Sequence, residues 1–239
     1  PVIDTGNLEK IGKLLNTNNN YDLVIVHGAG SFGHPIAQKF NLIDGLDNST
    51  KQEESIIEIR KQMRELNQIL CDIIDKNGIK TRSIIPSETM KTKGARQISQ
   101  FPKEMFDSII KKGYIPVTFG DVTDDELQGI NILSGDVIMK ELARIYTPTF
   151  SVFIMDYPGV MDGNPKSEVS NIIPLVDSNI IQILREKTED SETTDVTGGL
   201  IGKLECALEI AQYSQCWITN LDSLKNILEG KPRGSRIIQ

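Results

Sequence analysis

The amino-acid sequence predicts an α/β fold with a mainly parallel sheet and helices on both faces. Three observations carry that prediction. Short apolar, β-branched runs alternate with segments of helical periodicity from one end to the other. The first of these runs passes directly into a glycine-rich turn, as where a strand hands over to a helix. The composition, 38% hydrophobic and 25% charged over 239 residues, is that of a globular chain long enough to cover a sheet on both sides.

The elements follow in order. Asp22–Val26 reads as a short buried strand, with a helix beginning near His34. Ile56, Ile59, Met63, Leu66, Leu70 and Ile73 recur at three- and four-residue steps, which predicts a long amphipathic helix over Gln52–Asp75, closed by Asn77-Gly78. Ile79–Ile85 is a strand stopped by Pro86. Pro102–Lys112 is a helix with proline in its first turn and Gly113 past its end. Tyr114–Phe119 is the next strand and Gly135–Ile145 the next helix. Phe150–Met155 is apolar throughout, as expected of a strand covered on both faces. Glu186–Thr197, the most polar stretch, reads as a loop over a ligand. Leu200–Tyr213 is a helix, Cys216–Thr219 a strand, Asp222–Leu228 a helix closed by Gly230, and Ser235–Ile238 a last strand. The whole reads as one domain, residues 1–239, with lobes at 1–145 and 146–239.

Charge and cysteine usage narrow the function. Lys and Arg number 26 against 33 Asp and Glu, a net charge of −7 with no basic block. Broad nucleic-acid or membrane binding is therefore not expected, although backbone amides and a few lysines can hold a phosphate locally. No apolar run reaches the length of a membrane span, and nothing near Pro1 resembles a signal peptide. Cys71, Cys206 and Cys216 are too scattered for a disulfide framework or a zinc site, and fit reduced thiols in a cytoplasmic protein. No metal-ligand pattern occurs.

Four segments carry chemistry. His27-Gly28-Ala29-Gly30-Ser31-Phe32-Gly33-His34 follows a strand and fits G-x-G-x-x-G. A dinucleotide site also needs a second strand ending in an acidic residue, and the polar window Asp47–Glu54 supplies none. What stands is a phosphate cradle: glycines without Cβ let amides approach an anion closely. Gly198-Gly199-Leu200-Ile201-Gly202-Lys203 imitates a P-loop but lacks its first glycine and its Ser or Thr. Lys203 is expected in the first turns of a helix behind a flexible Thr-Gly-Gly hinge, a place that disfavours a cation unless it faces an anionic ligand. Asn131–Asp136 ends a strand and opens a helix, with Asp136 either an N-cap or a site residue. Asp156–Lys166 holds two turns rich in Asp, Gly and Pro, a nucleotide rim or ordinary turn chemistry.

Taken together and in order, these pieces resemble the amino acid kinase superfamily, and within it the archaeal-type isopentenyl phosphate kinases. The most specific stretch is Val26–His34, followed by Thr194–Gly199 with Gly202-Lys203, and by Ser134-Gly135-Asp136. The resemblance implies an open αβα sandwich in which ATP phosphorylates isopentenyl phosphate, a small phosphate with an apolar tail, to the diphosphate. It implies that His34 and the amides of Gly28, Ala29 and Gly30 hold the acceptor phosphate, with Gly135 at its border and Gly30 also near the nucleotide. Lys203 would sit on the transferring phosphoryl and Asp136 would orient lysines around it. Asp156, Tyr157, Gly159, Val160, Met161, Asn164, Pro165 and Lys166, with Asp195, Gly198 and Gly199, would hold ATP. Magnesium would arrive with the nucleotide, and a cytoplasmic homodimer is implied.

An isoprenoid tail requires an apolar recess beyond the phosphate, for which Ile84, Ile85, Met90 and Ile132 are the candidates. His27 is read as a satisfied structural histidine. The family also opens with a strand bearing Lys-x-Gly-Gly-Ser, so the natural protein is expected to carry about 15–25 further residues before Pro1, and the printed chain alone to be inactive and poorly stable. Tyr157-Pro158 stands where Val-Asp is more usual. Two rivals stay open: a fosfomycin or other small-acid kinase of the same fold, and a nucleotide sensor without catalysis.

Overall fold

A 27-residue helix organises the first of the two units into which the chain divides, residues 1–138 and 139–239. The computed structural model describes residues 3–16, 22–47, 49–163, 170–189 and 194–239. The first unit runs α1 (Thr5–Asn16), β1 (Ile25–His27), α2 (His34–Lys39), a 3-10 turn (Leu42–Asp44), α3 (Thr50–Lys76), β2 (Thr81–Ser83), α4 (Pro86–Thr89), β3 (Lys91–Thr92), β4 (Ile98–Gln100), α5 (Lys103–Lys111), β5 (Ile115–Phe119), β6 (Asp121–Asp125) and β7 (Gly129–Leu133). The division falls inside α6 (Gly135–Tyr146). The second unit continues with β8 (Phe150–Met155), β9 (Leu175–Val176), α7 (Ser178–Glu189), α8 (Thr194–Ile210), β10 (Gln215–Asn220), α9 (Leu221–Leu228) and β11 (Ser235–Ile237).

The predicted amphipathic stripe is what buries α3. Ile56, Ile59, Met63 and Leu70 are all at most 7% exposed, whereas Leu66 and Ile73 are half-buried and Ile74, outside the predicted stripe, is fully buried. Ser49 caps the helix by accepting from the Gln52 amide at 3.3 Å, and Gly78 turns the chain away with φ +86°. The three strands β1, β5 and β2 lie side by side in parallel, β5 in the middle, with Ile25 opposite Val117 and Thr81 opposite Ile115. Val117 and Phe119 alternate onto one face and are fully buried. Phe119 joins Ala37, Leu42, Ile56, Ile59, Met63, Val122 and Ile130 in one cluster, which binds α2, α3 and the β6–β7 hairpin together. Each of these side chains larger than alanine contributes roughly 1.5–3 kcal/mol on leaving water.

A second sheet in this unit departs from the parallel reading. Its order is β4-β3-β6-β7, and only β3 with β6 is parallel. Of these, β3 and β6 are short and polar (Lys-Thr, Asp-Val-Thr-Asp-Asp), so they lack the apolar run that announces a buried strand. One side chain ties them. The Asp125 carboxylate accepts from Thr92 Oγ1 and the Gly94 amide, both at 2.7 Å, and from the amides of Leu127 at 2.8 Å and Gln128 at 3.0 Å. Burial pushes its pKa up, but these hydrogen bonds outweigh it and hold the carboxyl below its ordinary value of 3.8.

The second unit holds the sheet β8-β10-β11-β9, parallel except between β10 and β11. Its core gathers Phe153, Val160, Val176, Ile181, Leu204, Ala207, Ile210, Cys216, Ile218 and Ile237. Here β8 is not covered on both faces: Phe153 is buried, but its neighbour Ile154 is 41% exposed. Nor is Glu186–Thr197 one loop. Glu186–Glu189 extend α7, which Asp177 opens by accepting from the Ile180 amide, and Thr194–Thr197 begin α8. Ile180, Ile181 and Leu184 form the apolar stripe that fixes α7 on the core. The three cysteines are buried and joined by no disulfide, and burial pushes the Cys216 thiol up to about 12, so it stays protonated. Among the described residues no helix is long and apolar enough to cross a membrane.

Asp125→Ala is expected to lower the unfolding free energy by about 2 kcal/mol, because it strands donors that the carboxylate satisfies. The ionised carboxylate's contribution is present above pH 3.8 and is lost as pH falls through the lowered folded value, so wild type and Asp125→Asn should converge in acid. Urea midpoints of both variants across that range check this.

Candidate active site

Three strand ends meet at backbone distance in the first unit. The carbonyl of His27, which ends β1, accepts from the amide of Gly120, which follows β5, at 3.0 Å. A Cβ on Gly120 would lie 3.2 Å from the Gly135 amide nitrogen and 3.3 Å from the Leu133 carbonyl oxygen. A Cβ on Gly135 would lie 3.3 Å from both the His27 oxygen and Val26 Cγ1. Glycine at both positions is what lets the ends of β1, β5 and β7 converge.

The loop from Gly28 to Gly33 leaves this junction. Gly28 and Gly30 face open space, with nothing within 4 Å of an added Cβ, and Gly30 takes φ +49°. An anion can therefore approach the backbone here without steric obstruction. Gly33 is buried, and a Cβ there would lie 3.0 Å from Ala29 Cβ, 3.7 Å from Ile59 Cγ2 and 3.8 Å from Met63 Sδ of α3, so the loop's far end is set close against that helix. His34 follows as the first residue of α2 and is exposed. That helix has only six residues, so loop amides rather than a helix macrodipole supply the attraction for an anion.

His27 behaves differently from His34. Its ring stacks on Phe119 with centroids 5.1 Å apart, Nδ1 lies 3.1 Å from the Gly28 oxygen, and Nε2 lies 3.3 Å from Asn67 Oδ1. Burial lowers its pKa against the pull of these two hydrogen bonds. At the start of α6, the Val137 amide donates to Ser134 Oγ at 3.3 Å, so Ser134 is the cap and Asp136 lies within the first turn. Gly135 and Asp136 are both half-buried. Ile85 and Ile132 are half-buried and pack against the α3 cluster, as do Ala29 and Phe32 of the loop. Ile84 and Met90, at 0% and 2% exposure, are core and cannot line a recess.

Sequence reasoning missed Gly120 and Asp121. Asp121 accepts from the Ser87 amide at 3.1 Å and the Val122 amide at 2.9 Å, which ties α4, and with it Ile85, to the start of β6. Burial raises its pKa, against hydrogen bonds from Ser87 and Val122 and the charge of Arg60. The available signal was a Gly-Asp pair directly after the strand Tyr114–Phe119, the same position relative to a strand that Gly28 occupies.

In the second unit Lys203 is the tenth residue of α8, not part of its first turns, because the helix begins at Thr194 and runs through the supposed Thr-Gly-Gly hinge. The helix-macrodipole argument for an anion beside it therefore lapses. Its ammonium lies over the ring of Phe153 on β8, 4.9 Å from the centroid. Beyond β8, Asp156 is exposed and Tyr157 and Met161 half-buried, open to a ligand. Val160 is not: its side chain is 1% exposed in the core, its amide donates to Ser235 Oγ at 2.8 Å, and its carbonyl accepts from Ile173 at 2.8 Å. Gly159 is likewise buried, where a Cβ would lie 2.7 Å from Ser235 Oγ. The expectation that Gly159 and Val160 touch nucleotide thus gives way to a packing role. Gly199 faces open space. Asp195 and Gly198 lie in α8, and the Asp195 side chain is outside what the structure describes; Asn164, Pro165 and Lys166 lie outside the described residues altogether. Among the described residues no group of three or more His, Cys, Asp or Glu could hold a metal ion.

Comparison with known proteins gives a consistent picture. The model of the amino acid kinase family matches residues 4–220. The isopentenyl phosphate kinase of Methanothermobacter thermautotrophicus is 29% identical over 217 residues, 89% of this chain and 80% of that protein. The isopentenyl phosphate kinase of Methanocaldococcus jannaschii is 32% identical over 191 residues, covering 80% and 70%. A crystal structure of isopentenyl phosphate kinase superposes with a TM-score of 0.84 at 26% identity, over 99% of this chain and 92% of that one.

Because the atoms that crowd a Cβ at Gly120 are backbone, which cannot rotate aside, Gly120→Ala is expected to cost about 1–3 kcal/mol of stability. It should also weaken inorganic phosphate at the 28–30 loop. Thermal melts and phosphate titration of the loop amides by NMR measure the two effects.

Proposed function

The chain belongs to the amino acid kinase family and, within it, to the isopentenyl phosphate kinases, and we propose that it performs their reaction with the residues described above. ATP gives its γ-phosphoryl group to isopentenyl phosphate, yielding isopentenyl diphosphate and ADP. The observation that carries the assignment of residues is the loop from His27 to His34. Its glycines open the backbone to an anion, and an exposed imidazole stands at its end.

In this reading the amides of Gly28, Ala29 and Gly30 and the ring of His34 receive the acceptor phosphate, with Gly135 at its edge. Ile85 and Ile132 form the apolar surface for the isoprenoid tail. A phosphate monoester is already ionised near neutral pH and nucleophilic, so no general base is needed. What the protein must supply is alignment and the neutralisation of charge on the transferring group. Lys203 supplies the positive charge for that group. Asp136 orients cations around it, while Ser134 caps the helix. Asp156, Tyr157, Met161 and Gly199 contact the nucleotide. Magnesium enters as part of the nucleotide substrate, with phosphate oxygens and water carrying most of its coordination. A cytoplasmic homodimer belongs to the same proposal.

Two variants test the roles in a coupled assay for ADP release with ATP, Mg²⁺ and isopentenyl phosphate. His34→Ala should raise KM for isopentenyl phosphate about 10-fold or more and leave KM for ATP nearly unchanged. Lys203→Ala should cut kcat about 100-fold or more with smaller changes in either KM, since its interaction grows in the transition state. Equal losses for both substrates in His34→Ala, or an active Lys203→Ala, would show the roles misassigned. Turnover of fosfomycin in place of isopentenyl phosphate would overturn the substrate.

A further inference from the structure

We infer that His27 is a positioning residue that sets the orientation of the Gly28–Ala29 peptide and so aims the Ala29 amide at the acceptor phosphate. The inference rests on the reading that the 28–30 loop receives that phosphate. In a planar trans peptide the carbonyl of one residue and the amide N–H of the next point in opposite directions, and no cis peptide occurs among the described residues. His27 Nδ1 lies 3.1 Å from the Gly28 oxygen. A proton on Nδ1 therefore draws the Gly28 carbonyl toward the ring and turns the Ala29 N–H away from it.

The peptide needs such a restraint. Gly28 has no Cβ, and nothing lies within 4 Å of where one would be, so no side chain at this position narrows the backbone angles that set the peptide plane. Rotated by half a turn, the same unit would present carbonyl lone pairs where an anion must sit, and attraction would become repulsion. The ring that supplies the restraint is itself fixed. It is stacked on the fully buried Phe119, and its Nε2 is within 3.3 Å of Asn67, which is 3% exposed on α3.

The hydrogen-bond chain decides which nitrogen carries the proton. With Asn67 Oδ1 toward Nε2 and its Nδ2 donating to Ser83 Oγ at 2.5 Å, both ring nitrogens face acceptors, and an imidazolium satisfies them. A neutral ring, which burial favours, is satisfied when the Asn67 amide turns over. Its Nδ2–H then donates to Nε2 while Oδ1 accepts from the Ser83 hydroxyl. In both states Nδ1 is protonated and donates to Gly28.

Imidazole ¹⁵N spectra of the wild-type protein test this without any substrate. They should show a proton on His27 Nδ1, and a neutral ring protonated on Nε2 alone would overturn the inference. In kinetics, His27→Phe keeps the stack on Phe119 and removes the donor. It should raise KM for isopentenyl phosphate about 10-fold with KM for ATP within about twofold. His27→Asn, whose amide N–H lies near the Nδ1 position, should restore most of that loss. An unchanged acceptor KM in a folded His27→Phe, or no rescue by His27→Asn, would overturn it. With inorganic phosphate as probe, the Ala29 amide resonance should shift in the wild type and not in His27→Phe. That pattern in a protein that fails to turn over isopentenyl phosphate would support the peptide orientation and refute the substrate; a wild-type Ala29 amide indifferent to phosphate would refute the orientation.

Discussion

Backbone meets backbone where β1, β5 and β7 end, and the first unit's chemistry depends on that junction. The His27 carbonyl takes the Gly120 amide, and Gly120 in turn lies against Gly135. Side chains at Gly120 or Gly135 would force the strand ends apart, and the glycine loop, the start of α6 and the Asp121 anchor would lose their common origin. The convergence sets amides and a helix start within one small region at the carboxyl edge of a parallel sheet, the place where such sheets collect ligands.

An overall charge of −7 would seem a poor basis for binding two phosphorylated substrates. Attraction for a phosphate comes instead from short-range dipoles that cost nothing in net charge. In the proposed reading, amides opened by glycine and an imidazole at the loop's end act within a few ångströms, where they outweigh the distant acidic surface. The two histidines of the loop divide this work by environment. His34 is exposed and free to meet a ligand, whereas His27 is stacked, hydrogen-bonded on both nitrogens and directed at its own backbone.

What the sequence made legible is what rests on periodicity and on local turn chemistry. The stripe on α3, the strand ending at Phe119, and the open glycines at 28 and 30 were readable because each depends on neighbours a few residues away; the first strand reads as Asp22–Val26, where β1 is Ile25–His27. Of the β4-β3-β6-β7 sheet only the strand end before Ser134 was readable, since the short polar strands β3, β4 and β6 take their stability from partners and from the Asp125 hub. The start of α8 was misplaced because Gly198 and Gly199 read as a break. Each costs about 1 kcal/mol in a helix, a penalty that packing of Leu204, Ala207 and Ile210 into the core exceeds. Val160 in a turn-rich rim carried no local sign of its role, which exists only through Ser235, and Gly120 showed only a Gly-Asp pair after a strand, its reason lying in Gly135, distant in sequence.

The account's central claim is that the glycine loop of the first unit is an acceptor-phosphate cradle. A crystal structure of the protein soaked with isopentenyl phosphate tests it most directly. The account predicts the phosphate within hydrogen-bonding distance of the Gly28–Gly30 amides and of His34, its hydrocarbon tail against Ile85 and Ile132. A phosphate bound elsewhere, with the loop empty and His34 in solvent, would contradict it.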